Sequence, residues 1–426
     1  MLILVLFFSA TSVTGHTILV EWTDSFLIST KDNFDDHQHN ILLDNNNNLH
    51  VVWREDHDFD YTVLKYRQLF ANNNTWSEIA LLSFMAMDVH SFSPILKKDL
   101  DGVIHLIWKY GNSADGSVFQ KHRYYSEGRW SETFTLTELN ITSNYFDFVP
   151  ISNNDLFFIF DSKYNTSTHE LYYQTYNWVT QNYSSKFQLT NSTKDFHYPC
   201  IAVDSQQAVH VSWSDITDSM HGEIHYQKID KILPFAEPIV ISQIDDFYTA
   251  ESQICVDKDD NIHFLYTEIN VSYFDPYFNI HYRVLSDNAL GTDIILKSGE
   301  TTDPDYNMFI DTKNNVHFIW HGYFFSDKSG NLTINYQQRL STGSWSNEIQ
   351  YITEAQNGGH PLHVIDSNDF MHVTWSAYID NDWCFYYVGG NSQNQTVVFH
   401  VFLPIISVLV ILVIIGTIRK RKSNLL

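Results

Sequence analysis

The sequence predicts an all-β fold: a seven-bladed β-propeller closed by an N-terminal strand, followed by one C-terminal transmembrane α-helix. Three observations predict it. A motif Asp-x5-His-x2-Trp recurs through the chain, a Trp-led segment recurs between its copies, and one uncharged run of 22 residues lies near the end of the 426.

The motif copies are Asp44/His50/Trp53, Asp99/His105/Trp108, Asp204/His210/Trp213, Asp257/His263/Tyr266, Asp311/His317/Trp320 and Asp366/His372/Trp375. They step by 53 to 55 residues apart from one double step, and "PISNNDLFFIF" fills that gap in degenerate form, with Phe157 in place of His. Seven copies of a four-stranded unit therefore follow. In the first, "NILLD" is an inner strand, "NNNN" a turn, "LHVVW" the second strand and "VLKYR" the third.

The fourth strand is the Trp-led segment "WSEIALLS" at 76–83, with relatives at "WSETFTLTE", "KFQLT", "EPIVIS", "TDIILKS" and "WSNEIQYITE". The last unit runs out after "WCFYYV", whereas "EWTDSFLIST" at 21–30 precedes the first inner strand. Pairing of that segment with the last unit closes the ring and removes the edge an open array would expose.

Recurrence around a ring assigns the Asp, His and Trp a structural role. The Asp caps a turn by accepting backbone N–H bonds, and the fourth turn position holds Asn47, Gly102, Gln207, Asp260, Asn314 or Asp369, mostly residues that tolerate left-handed angles. The His is expected to satisfy a buried polar group. No cofactor is expected; the alternative is calcium at Asp99, Asp101, Asp257 and Asp259, where "DLDG" and "DKDDN" resemble D-x-D loops without the later bidentate Glu.

The termini set the expected topology. "MLILVLFFSATSVTG" reads as a signal peptide over 1–15, leaving an ectodomain at 16–390 and a juxtamembrane linker at 391–396. The uncharged run at 397–418 is long enough to span a bilayer, and the basic tail 419–426 with its "RKRK" places the C-terminus in the cytoplasm and the ectodomain outside. The expectation is a single-pass glycoprotein at the cell membrane. Sequons stand at Asn73, Asn140, Asn165, Asn182, Asn191, Asn270, Asn331 and Asn394. Cys200, Cys255 and Cys384 make no metal pattern; one disulfide, Cys200 with Cys255, or buried free thiols are both compatible with the spacing.

Fifty acidic against twenty-five basic residues give a net charge of -25, which excludes nucleic acid as a partner and leaves neutral glycans, cations and basic proteins.

The unit layout, with "YYSEGRWSE" and "RLSTGSWSNE" standing between third and fourth strands like eroded Asp-boxes, resembles the sialidase-like superfamily of propellers. That resemblance implies a glycan-related surface. It does not carry over sialidase catalysis, because the F/Y-R-I-P segment is missing, and Arg54, Arg67, Arg123, Arg129, Arg283 and Arg339 fall mostly on third strands or turns.

Loops joining fourth to first strands share a face with those joining second to third, and the exit of the last unit turns that face away from the membrane. Carboxylates and aromatics recur there, so the ligand-binding candidates are Phe34, Asp36, His39, Asp195, His197, Tyr198, Asp246, Tyr248, Asp305 and Tyr306. The first functional expectation is binding of an extracellular glycan or protein without chemistry. The alternative is a glycoside hydrolase or lyase using carboxylates among Asp36, Asp195, Asp246 and Asp305; a third reading is a structural part of a surface layer or complex.

Overall fold

A computed structural model of the chain describes residues 12–400 except 33, 58–60, 87–93, 113–116, 137–138, 140–144, 164–167, 219–220, 231–236, 244–246, 271–276, 301–304, 324–331, 347–349, 356–358 and 381. Within them the chain is an all-β propeller. Its strands form antiparallel units in chain order, the first comprising Asp35–Leu43, Leu49–His57, Tyr61–Phe70 and Ala80–Ala86. Five sheets are separate; the sixth holds two such units, begun by Asp195–Val203 and Tyr248–Val256, joined through one parallel bridge from Gly222 to Tyr248.

The first strand of every unit touches that of the next, and the last of them, Gly359–Ile365, returns to Asp35–Leu43. Apolar clusters fill each space between successive units, one joining Ile28, Trp53 and Phe385 across the closure. Trp53, Trp108, Trp213 and Trp320 are fully buried in these wedges, where a large flat side chain covers the widening gap between twisted sheets. Tyr266 holds the same place in its own copy and is equally buried.

The recurring trio builds the turns. The carboxylates of Asp44, Asp204, Asp257, Asp311 and Asp366 each accept N–H bonds from the residues two and four further on, at 2.8 to 2.9 Å. The fourth turn position takes a positive φ in all six copies, from 61° at Asp260 and Asn314 to 86° at Gly102. The second carboxylate oxygen meets the imidazole Nε2 of His50, His105, His210, His263 and His317 at 3.2 to 3.4 Å. The other ring nitrogen faces a third-strand tyrosine hydroxyl, as in His210 to Tyr226 and His263 to Tyr282, both 2.7 Å; His105 meets His122 there instead. Each of these turns is thus pinned to the third strand by a relay through both nitrogens of its buried histidine.

The last copy, Asp366/His372/Trp375, keeps the turn bonds and the tyrosine contact but varies the relay. Oδ2 of Asp366 faces the side-chain amide of Asn368 at 3.4 Å, and among the described residues Nε2 of His372 has no partner, so the link from turn to imidazole is missing. His372 keeps only its tyrosine, Tyr387, at 3.0 Å from Nδ1. Trp375 holds the place of the tryptophans above and, like Trp213 on His225, packs against its cross-strand neighbour. It stacks on Tyr386 of its own third strand, with ring centroids 5.8 Å apart, and keeps 3% exposure. Its cluster is lined partly by the half-buried Val20 and Trp22, because this unit takes its outer strand from the N-terminus. Trp375 therefore still fills a wedge, but in a sheet assembled from both ends of the chain.

Three of the arginines are struts. Arg67, Arg123 and Arg283 donate Nε to the carbonyls of Ser77, Ser131 and Gly291 in their own units, and a terminal nitrogen to Ile28, Leu82 and Ile241 of the preceding outer strand. A planar fork bonded to two backbones locks neighbouring sheets in register.

Closure differs in detail from the expected segment. Phe26–Leu27 pairs with Tyr386 and Tyr387, and Ser12–Trp22 pairs along Gly390 to His400. The residues expected as linker, 391–396, are therefore strand, as are four from the expected leader and four from the expected span: Ser12 to Gly15 pair with Val397 to His400. Both stretches contain β-branched residues that suit an extended chain, and pairing satisfies the backbone groups that a helix would satisfy internally. Among the described residues no helix is long and apolar enough to cross a membrane, and 401–426 lie outside them.

The three thiols are free, so Cys200 and Cys255 are not bridged. Burial pushes the Cys200 thiol up to about 12 and that of Cys255 up to about 11, which makes both poor nucleophiles.

Candidate functional site at the channel mouth

The first strands begin around a cavity of about 470 Å³ at the mouth of the central channel, on the face opposite the Asp-led turns. Every unit reaches it: Gln38 and His39 from the first, Lys109 from the second, Tyr145 from the third, Tyr198 from the fourth, Glu251 from the fifth, Asp305 and Tyr306 from the sixth, His360 from the seventh.

Four of these residues, Gln38, Tyr198, Glu251 and His360, are non-glycine residues at φ of 44° to 57°. Each sits at a register shift in its first strand: between His37 and His39, His197 and Cys200, Ala250 and Gln253, Gly359 and Leu362. A bulge bends the strand and re-aims the extra residue, and left-handed backbone at side-chain-bearing residues costs about 1 kcal/mol or more each. Four such positions around one cavity mark the mouth as a site built against local preference.

Two groups of side chains carry the electrostatics. On one side, Oδ2 of Asp305 lies 3.1 Å from Nδ1 of His360 and 3.3 Å from Nδ1 of His321, and accepts the His360 backbone N–H at 3.1 Å. Despite burial, these bonds hold the Asp305 carboxyl well below the usual range, and Asp305 in turn raises His360. His39 beside them is buried, bonded to Thr374 at 2.8 Å, and held neutral by burial at a pKa of about 3. On the other side, the Tyr145 hydroxyl donates to that of Tyr198 at 3.3 Å with ring centroids 4.2 Å apart, and Lys109 is buried, its pKa pushed down to about 8 by desolvation.

Behind the tyrosines stands a third cluster. His197 Nδ1 lies 2.7 Å from Asp161 Oδ2, the His169 and His197 rings are 4.4 Å apart, and Asp195 accepts the His169 backbone N–H at 2.7 Å.

Of the residues the sequence singled out, His39, Tyr198, Asp305 and Tyr306 line the cavity, while Tyr248 shares an adjoining cavity of about 170 Å³ with Tyr198 and Glu251. His197 and Asp195 belong to the cluster behind. Phe34 packs on His57 with ring centroids 3.8 Å apart and does not line the mouth, and Asp246 lies outside the described residues.

Asp36 is a correction. It is fully buried under the first unit, and burial first, then the neighbouring Glu55, raises its carboxyl to about 8. No ligand in the mouth can reach it, so the expected carboxylate set does not converge.

The calcium expectation at the turns also changes: one oxygen of Asp257 takes two backbone N–H bonds and the other faces Asn261 and His263. One oxygen of Asp99 likewise accepts the Val103 N–H and the other faces His105. Protein donors occupy the lone pairs a cation would need, and among the described residues no set of three ligating side chains gathers there.

Lys109, Tyr145, Glu251, His360, Asp161 and His169 were missed. One signal for Lys109 and Asp161 was present. The position after each motif Trp is polar in every copy, Arg54, Lys109, Asp161, Ser214, Thr267, His321 and Ser376, inside otherwise apolar strands.

No family model and no curated protein matches the chain. Solved structures do. The chain is similar to a polysaccharide lyase of family PL25, an ulvan lyase bound to a saccharide of GlcA(1-4)Rha3S, with TM-score 0.56 and 11% identity over 83% of this chain and 92% of that one. A second structure of a PL25 ulvan lyase gives 0.55 and 11% over 90% and 98%. A protein of unknown function from Dyadobacter fermentans gives 0.53 and 10% over 88% and 99%. At this identity the likeness establishes the propeller fold alone, and residue roles rest on the mouth itself.

Proposed function

We propose that the chain is a seven-bladed, glycan-processing propeller that takes a uronate-containing saccharide into the channel mouth and breaks it by β-elimination. The observation that carries this is the cavity in which His360 with Asp305, Tyr198 with Tyr145, and Lys109 meet. Elimination needs a cation against the sugar carboxylate, a base for the proton on the carbon beside it, and an acid for the leaving oxygen. Lys109 supplies the charge, His360 takes the proton as the carbon–oxygen bond breaks, and the Tyr198 hydroxyl protonates the departing oxygen.

Hydrolysis fits less well. It needs a raised-pKa carboxylic acid at the bond, yet Asp305 is held ionised and Asp36, the candidate carboxyl that is raised, is buried away from the cavity. Two structural neighbours are ulvan lyases, which favours elimination as the reading. The overall charge of -25 favours short or sparsely charged chains over dense polyanions.

The same reading keeps a leader in the apolar stretch before Ser12 and an anchor in the apolar stretch after His400, since 12–15 and 397–400 pair as strand, with the mouth facing away from the membrane. The exit of Asp382–His400 on the turn side of its sheet supports that orientation.

The test is to incubate the full chain with uronate-containing and neutral polysaccharides and follow ultraviolet absorbance of an unsaturated product. Product lost in Tyr198→Phe and His360→Ala is expected. New reducing ends without that absorbance, or saturable binding without product, would replace elimination by hydrolysis or by plain recognition.

A further inference from the structure

We propose that Asp161, His169 and His197 form a divalent transition-metal site of the zinc class, set directly behind the tyrosine pair of the channel mouth. The three come from different places: Asp161 ends the strand Asp155–Ser162, His169 precedes Glu170–Asn177, and His197 lies in the first strand of the next unit. One donor atom from each falls within 4.8 Å of the others, close enough for a shared ion after small side-chain adjustments. Two imidazoles and one carboxylate are a common zinc set that leaves a fourth position open.

A second observation points to a cation. Asp161 has 1% exposure, and its Oδ1 is buried with no hydrogen-bond partner among the described residues. A carboxyl oxygen left without a partner in a dry setting is costly, while the other oxygen of Asp161 meets His197. A metal ion replacing the proton between His197 and Asp161 would engage the bare oxygen as well.

The surroundings match an outer shell. Asp195 accepts the His169 backbone N–H at 2.7 Å and lies 3.2 Å from its ring nitrogen Nδ1, which fixes the orientation of that imidazole. Tyr145 covers the His197 ring edge-on at 5.8 Å and separates the cluster from the cavity. Lys109 lies near enough to feel the Asp161 charge, so its ammonium and the ion share one carboxylate field.

The blade that carries Asp161 is also the one whose turn motif is degenerate, with Phe157 and Phe160 at the His and Trp positions. This unit departs from the repeat where the metal set departs from sevenfold regularity. The proposal does not depend on glycan cleavage at the mouth.

The test treats the full-length chain with a chelator, then titrates zinc by calorimetry and measures metal content after dialysis, with cobalt absorption as a reporter of nitrogen and oxygen ligation. One zinc per chain is expected, together with a raised melting temperature and an intense tetrahedral cobalt band. Asp161→Asn and His169→Ala should abolish tight binding. Asp195→Asn should weaken it by about 10 to 100-fold. His225→Gln, at another His–Asp pair, should leave it unchanged. Absence of bound zinc in the wild type, or equal zinc content in folded Asp161→Asn and His169→Ala proteins, would overturn the proposal. Circular dichroism of each variant separates lost metal from lost fold.

Discussion

Replacing Asp36 with Asn should stabilise the protein at neutral pH. Asp36 is fully buried, and its carboxyl is raised from 3.8 to about 8, first by desolvation and then by Glu55. The sign is the reverse of a salt-bridged acid. The folded state holds a proton that the unfolded state releases above pH 3.8, so stability falls as pH rises from there to about 8 and then levels off. Each pH unit in that window costs about 1.4 kcal/mol, so at pH 7 the wild type gives up at most about 4 kcal/mol. Asn carries no charge but keeps an amide that must find partners, which reduces the expected gain to roughly 1 to 3 kcal/mol. Urea denaturation of both proteins at about pH 5, 7 and 9 reads the difference, and subtracting one curve from the other cancels groups the substitution leaves alone. A difference that does not grow between about pH 5 and 8 would refute the assignment of a neutral, buried Asp36.

Other outcomes follow from the same contacts. Tyr282→Phe leaves His263 Nδ1 without its 2.7 Å partner and should cost about 1 to 3 kcal/mol in urea melts. Arg123→Met removes both backbone bonds of one strut and should cost a similar amount, about 2 kcal/mol, whereas Arg129→Met, at an exposed position, should be near neutral in the same assay. Asp305→Asn should lower the pKa of His360, seen by NMR titration of its ring; an unchanged midpoint would separate the two groups. Because Asp305 is depressed in the folded state, its stabilising effect is present above its unfolded pKa and fades as pH falls below that value. Gly390→Val drives a side chain into Trp22 and Val20, so limited proteolysis should release the N-terminal strand faster than in the wild type.

The architecture was legible because its signals repeat. One Asp-x5-His-x2-Trp is ambiguous, whereas six at a constant step define turn, strand and buried wedge together. Repetition also hid a difference: the copy ending in Trp375 reads like the others, yet its Asp366 and His372 do not meet, because spacing sets which residues are near and not which side-chain atoms pair. The outer strands were less legible: among the described residues "WSETFTLTE" yields Trp130, at the end of a two-residue strand, and Phe134–Leu136, since outer strands pair on one side and carry weak apolar periodicity.

The mouth was half legible. His39, Tyr198 and Asp305 were visible as polar residues beside first strands. Glu251 and His360 reach the cavity because a bulge shifts the register by one residue and turns a side chain that alternation would place elsewhere. Asp161 and His169 stayed hidden for another reason. They meet His197 only through packing between two units, which no local spacing encodes.

The closing sheet also sets an order of assembly. Its outer strands are made first and its partner strand Asp382–His400 last, so during synthesis the N-terminal segment waits with unpaired backbone while nearly the whole chain emerges. Such long sequence separation slows ring closure, and until then the first unit keeps an open flank. A ribosome-bound or truncated chain would therefore be held by its nascent sheets without the final clasp. Chaperone contact and sensitivity to strand-mediated association should be greatest in that interval, and should end when the strand that completes the ring leaves the ribosome.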